Sequence, residues 1–420
     1  MLRVAKFFGK PELRAGVLFG SSSLVSGLVA MVIGILIIGW ISPSELGIWQ
    51  SLSILQLYVP FLEMGIPNGL NRELPYLYGK GDTNKGVQYA QAAQSFMIAV
   101  AVLFFIATIL VTIVLLSMRY DPKVIAGVCT VGLLVSVNAY QRYLTVTYRS
   151  AQSFISLSRL YLYQIGIQIF LLPAVWYERY YGLLAYSFLV PFGFTMLMHF
   201  SRPIKERPLF NLKLLKDLSV IGLPVFAMGY FRGVANSFNR IVLLMKGGTM
   251  AVGLFTPVNA IGTLITMLPG VLGNFFFPKM NYLLGATDEP KKLWPIIINI
   301  NLIILLFSLP FIFGVWFTTP ILVGKYFAEY KSAIPAMQIF SLNFLFSGTL
   351  VSHNAIYTLK AYTLGYAFVG FELALRFICP YLAIHFLDGN LLTLSAYGVL
   401  LSNFLLFCLN FFFLRMAINK

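Results

Sequence analysis

Apolar runs of about 20 residues recur along the whole chain, and they limit the possible folds more than any other feature. Each run is long enough for one helix to cross roughly 30 Å of bilayer hydrocarbon. Hydrophobic residues make up 59% of the 420 residues and charged residues only 10%, which leaves too little polar surface for a soluble globular protein. We therefore predict an all-α polytopic membrane protein.

The runs predict twelve spanning helices with both termini in the cytoplasm. The predicted spans are 16–40, 46–70, 88–117, 124–147, 156–176, 182–200, 218–245, 252–276, 293–317, 333–357, 363–385 and 391–414. In this topology twenty of the thirty Lys and Arg residues are cytoplasmic, six lie on the far side and four lie within spans. This positive-inside bias accounts for the net charge of +16 without nucleic acid as a partner.

One stretch of sequence returns 206 residues later: PYLYGKGDTNKG at 75–86 and NYLLGATDEPKK at 281–292 share five of twelve residues, and the same shift pairs Gly47 with Gly253. The shift carries helix one onto helix seven, so it predicts two parallel six-helix repeats. We expect an N-terminal lobe and a C-terminal lobe, with a seam between the bundles that opens to either side. These lobes would cover residues 1–206 and 207–420.

Several segments resemble one transporter family. SPSELGIWQSLS (42–53) and GIPNGLNRELPYLYGKGD (65–82) look like the first helical hairpin of the polysaccharide flippase family, in the superfamily of MATE-like multidrug and oligosaccharide exporters. SFNRIVLLMKGGTMAVGLF (237–255) is similar to its passage from helix seven to helix eight, although the common DR pair is Asn-Arg here. VGKYFAEYKSAIPAMQIFSLNF (323–344) resembles the segment leading into helix ten.

The resemblance implies a two-lobed, twelve-helix transporter of lipid-linked glycans in the bacterial cytoplasmic (inner) membrane. The implied partners are a lipid-linked anionic glycan as substrate, membrane lipids, and other membrane proteins of polysaccharide assembly as candidates. The sequence has no Walker-type phosphate loop, HExxH or GxSxG motif, and its three cysteines lack metal-ligand spacing. We therefore expect no enzyme, no metal and no cofactor, and we leave coupling to H⁺ or Na⁺ open.

Polar residues of predicted helix seven form one stripe. Arg232, Asn236, Asn239 and Arg240 fall within roughly 100° of helical arc. A charge at the bilayer centre costs about 2.5–3.5 kcal/mol on insertion scales, so these side chains need a partner or water. Interhelical hydrogen bonds could supply it, but two arginines with only amides beside them favour a cavity wall that binds an anion.

Other amides and one more arginine extend the predicted substrate contacts. Asn138 and Arg142 share a face of helix four, where helix packing explains them equally well. Asn68 and Asn71 of helix two, together with Asn274 of helix eight, would hydrogen-bond the cargo.

Four residues are candidates for ion coupling or gating. Glu63 is the best lone acid for proton or sodium coupling, although a hydrogen bond to a neighbouring helix explains it at least as well. Glu372 and Arg376 have i,i+4 spacing with the acid first, which indicates mainly a structural ion pair. His353 could titrate, but a single histidine within an apolar helix is usually structural.

We predict a flippase that moves an undecaprenyl-diphosphate-linked oligosaccharide from the inner to the outer leaflet without ATP. Guanidinium groups suit phosphate oxygens, and the polyprenyl tail can stay in lipid while the charged head crosses. The first alternative is an ion-coupled multidrug or cation antiporter of the same superfamily, which should show acidic residues in its lumen. The second is a membrane-embedded glycan polymerase or ligase, which should have a large outward loop with catalytic Arg or His.

Overall fold

The structure is a computed structural model and describes residues 10–79, 81–151, 153–287, 289–359 and 361–419. Within these ranges all regular secondary structure is helical. The α-helices are α1 (Lys10–Trp40), α2 (Pro43–Ser53), α3 (Ile66–Gly79), α4 (Thr83–Ser117), α5 (Pro122–Ser150), α6 (Phe154–Phe200), α7 (Leu212–Leu254), α8 (Thr256–Thr287), α9 (Trp294–Tyr326), α10 (Ile334–Ser341), α11 (Thr349–Ser352), α12 (Asn354–Thr358), α13 (Tyr362–Phe386) and α14 (Leu391–Ile418). Short 3-10 turns occupy Ile54–Leu57, Val59–Glu63, Pro290–Leu293, Ala328–Ala333 and Leu342–Phe346.

The described helices confirm the predicted all-helical membrane fold. Seven helical segments are long and apolar enough to cross a bilayer, and an eighth qualifies if the two parts of α7, bent by 54°, count as one span. The total of twelve crossings and the cytoplasmic position of the termini stay predictions.

Long helices change direction where the backbone leaves the helical region. Within the 47-residue α6, Arg179 has φ 52° and ψ −116°, so two helices meet there, as the predicted fifth and sixth spans require. Gly248 (φ 64°, ψ −167°) interrupts α7 in the same way. The backbone of predicted helix two leaves the helical region at Met64 (φ 50°) and Gly65 (φ 71°), and glycine adopts such a left-handed conformation without steric cost.

The chain forms two compact units. The first runs up to Ile41 and resumes over Leu52–Tyr230, and the second combines Ser42–Ser51 with the chain from Phe231 onward. In the first unit α5 packs against α3, α4 and α6, and α3 also packs against α4. Its core includes the buried side chains of Leu70, Leu74, Met97, Tyr143 and Leu144.

The second unit is built on α13 and α14, which pack along each other, with α10 in contact with α14, α9 and α8. Segment 42–51 precedes the first unit's main body in sequence but belongs to the second unit by its contacts. The predicted boundary between residues 206 and 207 concerns the duplication and stays a prediction.

Two residues that the predicted duplication makes equivalent touch each other inside the second unit. A Cβ added to Gly47 would overlap the carbonyl oxygen of Thr249, and a Cβ added to Gly253 would overlap that of Pro43. Pro43 and Thr249 are themselves related by the 206-residue shift. A contact in which residue i meets j′ while i′ meets j is the signature of a two-fold relation. This reciprocity supports the duplication independently of sequence identity.

Alanine at Gly47 or Gly253 is expected to destabilise the protein by about 1–3 kcal/mol, because backbone atoms must move to accept the methyl group. Thermal unfolding of the detergent-purified protein measures the effect. Gly233→Ala is the matched control, because a Cβ there meets nothing within 4 Å and alanine favours the helix by up to about 1 kcal/mol. Equal stability of all three variants would contradict the close approach.

Candidate functional site

In the first unit, the predicted coupling acid forms an ion pair with a predicted substrate-binding arginine. Glu63 ends the 3-10 turn Val59–Glu63 and is only 3% exposed. Its carboxylate forms an ion pair with the guanidinium of Arg142 on α5. The description of Glu63 as a lone acid is therefore wrong. The sequence could not show the pairing, because it depends on how α5 packs beside the broken helix two.

In the second unit, Glu372 lies between two arginines. Its Oε2 is 3.1 Å from Nε of Arg232 on α7, and its Oε1 is 3.0 Å from Nη2 of Arg376 on its own helix α13. The predicted i,i+4 pair is thus present. The expectation that only amides lie beside Arg232 is wrong, because a carboxylate from a neighbouring helix reaches it. Each carboxylate oxygen serves one arginine, so the three side chains together carry a charge of +1.

Within this group, Arg232 keeps hydrogen-bonding capacity. Its side chain is 27% exposed and uses Nε for the contact with Glu372. No residue in the described part of the chain accepts a hydrogen bond from its two Nη nitrogens. These two nitrogens form the edge of a guanidinium that binds two oxygens of one anion.

The rest of the helix-seven stripe has mixed surroundings. Asn239 accepts a hydrogen bond at Oδ1 from Ser395 Oγ of α14, at 2.7 Å, so it binds two helices together. Asn236 is exposed, and Arg240 is half-buried. Among the described residues no carboxylate lies within ion-pair distance of Arg240. Interhelical bonding and an uncompensated cation therefore occur side by side on one helix.

The predicted titratable residue His353 belongs to a buried polar network. It is 1% exposed, and its Nδ1 lies 3.1 Å from Oδ1 of Asn410, whose Nδ2 donates to Ser352 Oγ at 2.8 Å. The His353 ring packs against Phe368 with ring centroids 4.3 Å apart. His353 Nε2 has no hydrogen-bond partner within the described ranges. These contacts favour the structural interpretation of this histidine.

Two polar residues of α14 belong to these contacts and were missed from the sequence. Ser395 binds the helix-seven stripe and Asn410 binds His353. A signal existed: Ser395, Ser402 and Asn410 recur at about every seventh residue of an otherwise apolar helix, which places them on one face. Such a stripe indicates contact with other helices.

The remaining predicted contacts are amides whose positions can be stated. Asn68 is half-buried and Asn71 exposed on α3, and Asn138 is half-buried on α5. The side chain of Asn274 lies outside the described part of the structure. In the second unit, Asn354 contributes with Thr266 and Phe277 to a cavity of about 430 Å³.

Comparison with solved structures identifies the fold. No family model and no curated protein matches the chain. A multidrug resistance MATE family transporter of the MOP superfamily is similar in its inward-facing conformation (TM-score 0.78, 14% identity, 94% of each chain). An outward-facing conformation of such a transporter is also similar (TM-score 0.65, 15% identity, 98% of this chain and 96% of that chain).

A third similar structure is a MOP superfamily transporter from Pyrococcus furiosus, whose binding pocket of reversed polarity is said to suggest a different function (TM-score 0.64, 14% identity, 98% of this chain and 96% of that chain). At such identities the likeness establishes the fold alone. The chain therefore has the MATE transporter fold.

Proposed function

We propose that this protein is a flippase that moves an undecaprenyl-diphosphate-linked oligosaccharide from the inner to the outer leaflet of the bacterial cytoplasmic membrane by alternating access, without ATP. The observation that carries the proposal is the excess positive charge of the helix-seven stripe. Arg240 has no acid partner among the described residues, and the Arg232–Glu372–Arg376 group keeps a net charge of +1.

This charge fits the chemistry of the cargo. A diphosphate cannot enter hydrocarbon alone, because transferring an isolated ion into a medium of low dielectric costs tens of kcal/mol in the ideal limit. Arginine side chains within the hydrocarbon layer would replace part of the hydration that the diphosphate loses with charge-assisted hydrogen bonds. The free Nη edge of Arg232 and the guanidinium of Arg240 are the groups that would bind the phosphate oxygens. The amide of Asn236, on the same helix, would hydrogen-bond sugar hydroxyls.

The multidrug antiporter is the second candidate, because two of the similar structures are described as multidrug resistance transporters. An organic cation would need an acid that is free to pair with it. The two buried carboxylates of the described chain, Glu63 and Glu372, already hold arginines. This occupation favours an anionic cargo. A glycan polymerase or ligase draws no support from the MATE transporter fold.

Coupling to H⁺ or Na⁺ through Glu63 is part of the proposal only if the ion pair of Glu63 opens during transport. Because Glu63 is held by Arg142, binding of a proton or cation there would have to release that arginine. A coupled cycle would therefore exchange the ion pair for an ion-loaded carboxyl and a free guanidinium.

The test is transport by the purified protein in vesicles. A fluorescent undecaprenyl-diphosphate-linked oligosaccharide is placed in both leaflets, and an impermeant quencher reports how fast inner-leaflet label becomes accessible. We expect exchange at least about tenfold faster than in protein-free vesicles, without ATP, since lowering a barrier by about 1.4 kcal/mol already gives that factor. Uptake of a fluorescent organic cation is measured in parallel. Cation uptake without glycan exchange would replace the flippase by the antiporter.

A further inference from the structure

The segment that joins α6 to α7, residues 201–211 and here called the linker, is fixed to α4 within the first unit. Gln91 Nε2 donates to the Arg207 carbonyl at 3.0 Å, and the Leu209 amide donates to the Gln91 carbonyl at 3.3 Å. Ser95 Oγ donates to the Ala92 carbonyl of its own helix at 2.8 Å and also lies 3.3 Å from the Leu209 carbonyl. Ile204 is 7% exposed and belongs to the core of that unit. The backbone of the linker therefore has a defined position along α4.

Helix α4 shows how deep that position is. From Phe96 to Leu116 the side chains of the helix are apolar except for Thr108 and Thr112, and at about 1.5 Å per residue this stretch is roughly 31 Å long, the thickness of the hydrocarbon layer. Ser95 therefore marks the edge of the hydrocarbon. Gln91 lies one turn, about 5–6 Å, farther out among the lipid headgroups. The positive-inside pattern assigns this edge to the cytoplasmic leaflet.

The side chains of the linker match these two levels. Leu209 and Phe210, beside Ser95, are 51% and 61% exposed, and Leu212 at the start of α7 is 70% exposed. Lys205 and Arg207, toward the headgroup level of Gln91, are exposed as well, and so is Glu206 between them, so these three side chains carry a net charge of +1. Apolar side chains thus project from the protein at the hydrocarbon edge, and cations project about one helical turn outside it.

We propose that the linker is a binding site for anionic phospholipid of the cytoplasmic leaflet. Leu209 and Phe210 would insert among the upper acyl carbons, and Lys205 and Arg207 would bind the phosphate groups. Exposed apolar side chains beside cations are the combination by which interfacial segments attach to anionic membranes, and each Lys or Arg near such a surface adds to the attraction. The proposal uses residues of the first unit alone and none of the helix-seven stripe, so it does not depend on the identity of the cargo.

The experiment uses the full-length protein with Phe210→Trp in vesicles that contain brominated lipid, which quenches tryptophan on contact. The protein has five tryptophans of its own, so the wild-type signal is subtracted. At equal mole fraction we expect brominated phosphatidylglycerol to quench the added tryptophan at least about threefold more effectively than brominated phosphatidylcholine, a modest part of what two surface cations can supply.

The contribution of Lys205 and Arg207 to lipid binding is tested in the protein that carries Phe210→Trp. Lys205→Gln with Arg207→Gln is expected to bring the ratio of the two quenching efficiencies to about one. The matched control, Arg149→Gln with Arg159→Gln, removes two other exposed cations of the first unit and should keep the preference. A tryptophan that neither lipid quenches would show that the linker faces water or another protein and would overturn the proposal. A preference that survives the loss of Lys205 and Arg207 would also overturn it.

Discussion

Replacing Arg240 by alanine is expected to slow exchange of the lipid-linked glycan by about 10–100-fold while the protein stays folded. The size follows from losing a charge-assisted hydrogen bond to an anion, worth about 1.5–3 kcal/mol. The unchanged stability follows from the surroundings of Arg240, which is half-buried and has no carboxylate within ion-pair distance in the described chain. Its removal leaves no buried acid behind. The vesicle exchange assay and thermal unfolding measure the two quantities on one preparation.

Two variants make this test specific. Arg240→Lys keeps the charge but loses the planar fork, so transport should fall to a level between wild type and alanine. Lys246→Ala is the matched control, because it removes another cation of the same helix. Nζ of Lys246 lies 4.9 Å from the centroid of the Tyr381 ring. Wild-type exchange by Arg240→Ala at normal protein levels would exclude this arginine from the path of the cargo.

Replacing Glu372 by alanine is expected to have the largest effect on stability, about 3 kcal/mol or more. Glu372 is 3% exposed and holds Arg232 and Arg376 through different oxygens. Its loss leaves two neighbouring guanidinium groups without their acid, and breaking a buried ion pair by removing one partner typically costs 3–5 kcal/mol. Denaturant unfolding of the detergent-purified protein gives the free-energy difference.

The controls separate burial from charge. Glu289→Ala breaks an exposed pair in which the side chain of Glu289 is 59% exposed and that of Lys292 47%, and should cost less than about 1 kcal/mol. Adding Arg376→Met to Glu372→Ala removes one of the unpaired cations and should restore part of the lost stability. If Glu372→Ala is no less stable than Glu289→Ala, the carboxylate does not hold the two helices together.

The sequence predicted which polar residues form the site, but it predicted few of the ion pairs between them. The sequence identified Glu63, Arg142, Arg232, Glu372 and Arg376 as polar groups within apolar helices. Such groups are few and stand out against an apolar background. Of their ion pairs it predicted only that of Glu372 with Arg376, because i,i+4 spacing along one helix is local.

The contacts between helices escaped prediction for a physical reason. Arg232 and Glu372 are separated by 140 positions, and no local rule relates residues so far apart. The partners depend on which helices pack side by side and on their rotation about their own axes. The reciprocal approach of Gly47 and Gly253 belongs to the same class. The 206-residue repeat made the two glycines equivalent, but only packing placed them against each other.

The sequence by itself determined that this chain forms apolar helices for a bilayer and which of them carry charge. The reason is that every backbone polar group in hydrocarbon must be hydrogen-bonded within its own segment. Each spanning helix is therefore a continuous apolar run that can be identified from its own residues. Only the tertiary structure decided which charges neutralise one another and which stay positive, and that segment 42–51 packs with the second unit. Those outcomes depend on distances between helices, and a linear sequence does not contain them.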